Sequence, residues 1–68
     1  MTERTLGNRL REVRTQRGLT QAELALMARV SRKTINTIEN QVYVPSTILA
    51  LALAAVLETS VEALFFLA

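Results

Sequence analysis

Residues 21–40 read QAELALMARVSRKTINTIEN, and this stretch decides the fold. It divides into two short amphipathic segments around Arg29-Val30. Thr20 followed by Glu23 is a capping box, in which a hydroxyl and a carboxylate satisfy reciprocal backbone N–H groups at a helix start. Ser31 is a good N-cap for a second helix, with Arg32 and Lys33 in its first turn. Leu24, Ala25, Ala28, Val30, Ile35 and Ile38 carry the apolar pattern. The spacing predicts helices over 21–28 and 32–40, joined by a connection too short for anything but a sharp corner.

The face opposite Ile35 and Ile38 is chemically specific. At 100° per residue, Lys33, Asn36, Thr37 and Asn40 fall on the outward side, and Arg32 projects from the N-terminal tip. That side carries hydrogen-bonding groups and no large apolar residue. Glu39 falls near the inward face, where a carboxylate needs a partner.

Working outward, Leu6, Leu10 and Val13 recur at helical spacing, and Gly18 supplies a stop, which predicts a first helix over 5–17. After the QVYVP loop, Ser46 caps a fourth helix over about 47–57. Thr59 and Glu62 form another capping box, which predicts a fifth helix over 60–67. No window alternates with period two between turn signals, so no sheet is expected. The expected fold is all-α, with five helices in one domain spanning 1–68.

Composition narrows the chemistry. The 68 residues contain no Cys and no His, which removes disulfides, the usual zinc sites, thiol nucleophiles and hydrolytic triads in their usual forms. The six acidic residues are all glutamates and are dispersed, and the two glycines are isolated. Neither a paired-carboxylate site nor a phosphate loop is visible. No enzyme, metal, cofactor or small-molecule ligand is expected. The polar N-terminus is no signal peptide, and Ile48–Leu57 is about half the length of a spanning helix, so the expected location is cytoplasmic.

Charge is distributed unevenly. All eight basic residues lie within positions 1–33, which carry three glutamates and a net +5; the remainder is −3. A basic half suits a polyanion, although a solvated helix face can carry the same charge. Double-stranded DNA has a physical rationale. A helix fits the major groove, and residues near its N-terminus reach base edges. Arg32 and Lys33 can donate to guanine O6 and N7, Asn36 can pair with adenine, and Thr37 can meet thymine. Free N–H groups at Thr20/Gln21 and Ser31/Arg32 suit phosphates.

The blocks LREVRTQRGLTQAELA, VSRKTINTIEN and PSTILALALAAVLETSVEALF resemble, in order and spacing, the Cro/CI-like (XRE) helix-turn-helix family of phage-repressor type. The similarity runs over roughly residues 6–65 and is closest to very short stand-alone regulators with S-R-x-T-I-N in the recognition helix. It implies a lambda-repressor-like DNA-binding domain acting as a dimer on palindromic operators, most simply a repressor. Arg32, Lys33, Asn36 and Thr37 would read bases. Thr20, Gln21, Ser31, Thr34, Asn40, Tyr43, Arg9 and Arg29 would position the backbone. The resemblance also implies an Arg14–Glu39 salt bridge, in agreement with the inward placement of Glu39.

Three departures matter. Arg29 and Gln41 stand where the family often has glycine; a residue other than glycine at φ > 0 costs about 1 kcal/mol. Arg29 could offset that by reaching a phosphate or be merely tolerated, and either Asn40 or Gln41 must close the recognition helix. In the fourth helix, the core stripe should be Leu49, Leu53, Val56 and Leu57. Ile48, Ala52 and Ala55 form a second apolar stripe where relatives carry charge, and Ala63, Phe66 and Leu67 extend it. A homodimer through the fourth and fifth helices is expected, with Ile48, Ala52, Ala55, Phe66 and Leu67 at the interface. Leu26 and Met27 read as isolated exposed apolar residues. An antitoxin, a restriction–modification control protein, or a protein-interaction module without DNA binding are the alternatives.

Overall fold

The computed structural model describes residues 5–68. Its elements run β1 (Leu6–Asn8), α1 (Leu10–Gln16), α2 (Gln21–Ala28), α3 (Arg32–Glu39), α4 (Thr47–Val56), α5 (Val61–Leu64) and β2 (Phe65–Leu67). α2 packs on α3 and α4, and α1 lies on α3. Between them sit Leu10, Leu24, Ile35, Ile38, Leu53, Leu57 and Leu64, all fully or almost fully buried. Within α4, Leu49, Leu53 and Ala54 are buried and Val56 is half-buried.

Local chemistry sets the helix starts. Thr20 and Glu23 form the reciprocal cap: Glu23 N–H donates to Thr20 Oγ1 at 3.0 Å, and Thr20 N–H donates to Glu23 Oε1 at 2.9 Å. Ser31 Oγ accepts from Thr34 N–H, and Ser46 Oγ accepts from Leu49 N–H, both at 3.1 Å. At α5 the cap is Ser60, which accepts from Ala63 N–H, not Thr59. Thr59 N–H instead donates to Ala54 O, so Thr59 belongs to the closure of α4.

Four helix ends close in the same way. The backbone N–H groups of Leu19, Val30, Val42 and Thr59 each donate to the carbonyl five residues back, at 2.9–3.1 Å. This is a Schellman closure, and it requires a left-handed residue just before the donor. Those residues are Gly18, Arg29, Gln41 and Glu58, with φ of 71°, 59°, 60° and 55°. Only the first is glycine. Gln41, not Asn40, takes the left-handed conformation after α3.

The expectation of an all-helical chain needs one correction. β1 and β2 pair antiparallel, with Leu6 opposite Leu67, Gly7 opposite Phe66 and Asn8 opposite Phe65. Consequently α1 starts at Leu10 rather than residue 5, and α5 ends at Leu64 rather than residue 67. The Phe66 ring packs so closely on Gly7 that a Cβ there would overlap it. Asn8 ends the strand: its Oδ1 accepts from Leu10 N–H at 3.1 Å, and its Nδ2 donates to Ile38 O at 2.9 Å.

Candidate nucleic-acid interface

The capped corner between α2 and α3 places the N-terminus of α2 beside the outward face of α3. Gln21, Arg32, Lys33 and Asn36 line one shallow hollow there. Arg32, Lys33 and Asn36 are exposed, and Gln21 is half-buried. An adjoining hollow is lined by Ser31, Lys33, Thr34, Thr37, Val42 and Tyr43. Thr37 is half-buried, and its hydroxyl donates to Thr34 O at 3.0 Å. A third hollow runs from Arg14 and Gly18 past Thr20 and Gln21 to Arg32.

Behind the first hollow is a buried anion. The Glu39 side chain is 0% exposed and accepts from three residues on two helices, α1 and α2. Arg14 Nε and Nη2 donate to its two oxygens at 2.7 and 3.2 Å. Gln21 Nε2 donates at 3.0 Å and Arg11 Nε at 3.3 Å. Arg14 Nη1 also donates to Leu19 O at 2.8 Å, which ties α1 to the start of α2. Burial by itself would raise the Glu39 pKa. The hydrogen bonds from Arg14, Gln21 and Arg11, with the Arg14 charge, outweigh that and hold it below the ordinary carboxylate value. Gln21 connects the two, lining the hollow while donating to Glu39. The Glu23 carboxyl is lowered too, because Thr20 N–H and Oγ1 hydrogen-bond to it.

Three amides extend the network. Gln21 Nε2 and Asn40 Nδ2 both donate to Asn36 Oδ1, each at 3.2 Å. Asn40 Oδ1 accepts from Arg11 Nη2 at 3.3 Å. Arg11 was not legible as part of the site, although its spacing three residues before Arg14 puts both guanidinium groups on one helix face.

The remaining positions divide. Arg29 is exposed at the corner between the two helices. Arg9 lies elsewhere, with its guanidinium 4.4 Å from the centre of the Phe66 ring, a cation–π contact that anchors it at the sheet. Of the apolar positions, Ile48 is 82% and Leu67 62% exposed. Ala55 is exposed, Ala52 is half-buried, and Phe66 is 37% exposed above Gly7. Leu51, absent from the sequence reading, is 56% exposed and completes the stripe between Ile48 and Ala55.

A family model described as helix-turn-helix matches residues 10–64. This chain belongs to the XRE-type helix-turn-helix family. Among solved structures, this family member is similar to the restriction-modification controller protein C.AhdI from Aeromonas hydrophila. Identity is 33%, with 81% of this chain and 83% of that chain covered, at a TM-score of 0.77. Among curated proteins, none matches the chain. Family and fold together make this helix-turn-helix protein a DNA-binding transcriptional regulator. Among the described residues, no helix is long and apolar enough to cross a membrane.

Proposed function

We propose that the protein is a sequence-specific transcriptional repressor that occupies a palindromic operator as a homodimer. Arg32, Lys33, Asn36 and Thr37 are the base readers in this proposal. Thr20, Gln21, Ser31, Thr34, Asn40, Tyr43 and Arg29 position the DNA backbone. The observation that carries the reading is the hollow between α2 and α3, where Arg32, Lys33 and Asn36 stand exposed together over the buried Glu39. Charged and amide donors on a helix tip are what guanine- and phosphate-bearing grooves accept.

The homodimer rests on α4. Ile48, Leu51 and Ala55 are exposed along one side of that helix, which is more apolar surface than a solvated face needs. A two-fold axis through α4 and the β2 end gives two recognition helices, set to meet half-sites about 34 Å apart. Arg9, over Phe66, serves this end of the molecule more than the reading face.

A narrower version is favoured by one observation, the likeness to C.AhdI. Here the protein controls a restriction–modification operon. Binding to the upstream region of an adjacent restriction gene supports it; an operator with no such gene beside it refutes it.

Lys33→Ala tests base reading. A base reader's loss falls mainly on the specific site, whereas loss of a phosphate contact weakens all duplexes and makes the salt slope shallower by about one. Equal losses on operator and random duplex would remove Lys33 from the reading set.

A further inference from the structure

The hydrogen bonds around Glu39 fix more than the position of the recognition helix; they fix which atoms it offers outward. An ionised carboxylate is an acceptor only. Gln21 must therefore turn its amide nitrogen toward Glu39 Oε1, 3.0 Å away, because the flipped amide would oppose two oxygens. The same nitrogen lies 3.2 Å from the Asn36 side chain, so the Asn36 atom there must be the carbonyl Oδ1. Asn40 meets that oxygen with Nδ2 at 3.2 Å, and its own carbonyl faces Arg11, which has donors only. Arg11 closes the circle on Glu39 at 3.3 Å. Every amide orientation in the ring follows from the one buried charge.

The consequence falls on Asn36. An amide oxygen has two lone pairs, and here both are taken. Among the described residues, no hydrogen bond engages the Asn36 Nδ2. Asn36 therefore faces the hollow as a donor without an acceptor. Pairing with adenine requires both functions, with oxygen accepting from N6 and nitrogen donating to N7. Guanine asks for donors alone, at O6 and N7. Thymine offers a single acceptor, O4, for an amide nitrogen with two hydrogens.

We infer that Asn36 reads guanine through Nδ2, and that Glu39 is the positioning residue that sets this preference through Gln21, Arg11 and Asn40. The inference rests on α3 being the recognition helix, and it replaces the expectation that Asn36 selects adenine. Sequence preference at one base pair is then governed by a glutamate that touches no DNA.

Selection of bound sites from a random duplex library tests this, run with the full chain, Asn36→Ala and Asn40→Ala. The base pair whose preference disappears in Asn36→Ala is the one Asn36 contacts. Guanine is expected there in the unaltered protein. Replacing it by inosine, which keeps O6 and N7, should change affinity by no more than about twofold, and replacing it by adenine should cost on the order of tenfold. Asn40→Ala frees one lone pair of Asn36 Oδ1, so its guanine-over-adenine ratio should fall several-fold at that position alone. Adenine enriched there by the unaltered protein overturns the inference while leaving the regulator reading intact. A ratio unmoved in Asn40→Ala overturns the part assigned to the ring. A library with no enriched sequence overturns the regulator reading, and this inference with it.

Discussion

The Arg14 guanidinium donates to the Glu39 carboxylate at 2.7 Å, and the glutamate side chain is wholly shielded from solvent. Removing one partner of such a pair strands the other, which costs more than the pair itself contributes. Arg14→Ala should destabilise the fold by about 3 kcal/mol, at the low end for buried pairs because Arg11 and Gln21 remain. For a chain of this size, the melting temperature should drop on the order of 15 °C. Replacing both residues together by leucine should cost less than Arg14→Ala alone, since no charge is left buried. Thermal melts of the variants decide it.

The same carboxylate makes stability depend on pH in one direction. Unfolded, a glutamate titrates near about 4.3; in the fold, Glu39 is held lower. Between those values the unfolded chain binds more protons, so stability rises with pH. The contribution is complete above the unfolded value and is lost as pH falls through the folded one. Urea unfolding should give a plateau from neutral pH to about pH 5 and a decline below it. Glu39→Gln should flatten most of the decline, and Glu23, shifted the same way but fully exposed, should account for a shallower remainder. Stability that rises on acidification would contradict this account.

Arg29 holds φ 59° at the corner between α2 and α3. Arg29→Gly should stabilise the fold by about 1 kcal/mol by relieving the left-handed strain, offset in part by glycine's greater freedom in the unfolded chain. If Arg29 touches a phosphate, the same substitution should also make the salt dependence of DNA binding shallower by about one unit of slope. Chemical denaturation and a salt titration separate the two effects.

Ile48→Glu places a charge at the centre of the exposed stripe on α4. By sedimentation at micromolar concentration, the unaltered protein should be a dimer and this variant a monomer, with weakened operator binding and an unchanged helical spectrum. A monomeric parent, or full operator affinity in the variant, would remove the two-fold arrangement.

Local chemistry was the legible part. The caps at Thr20, Ser31 and Ser46 involve residues three apart, and a helical wheel suffices to turn Glu39 inward. The sheet was not legible, because three-residue strands are too short to show alternation and their partners lie at opposite ends of the chain. Thr59 and Ser60 compete as caps, and the winner depends on how α4 closes. The polarity of Asn36 depends on a carboxylate, an arginine and two other amides from three helices; no single segment contains that information. Arg9 illustrates the converse, a basic residue whose partner, Phe66, is visible only once the ends of the chain meet.

That meeting has a consequence for the order of events. Pairing Leu6 with Leu67 closes a loop of nearly the whole chain, whereas α2, the corner and α3 make their contacts within the 19 residues from Gln21 to Glu39. Loop-closure entropy grows with the length enclosed, so the helix pair should assemble first and the strands zip together last. The amides of the sheet should accordingly exchange with solvent through partial openings that leave Leu24, Ile35 and Ile38 protected. Pulse-labelled hydrogen exchange during refolding should record protection in α2 and α3 before Leu6 and Leu67 acquire it. In the life of each molecule, the paired surface of α2 and α3 should be complete while the two ends of the chain are still apart.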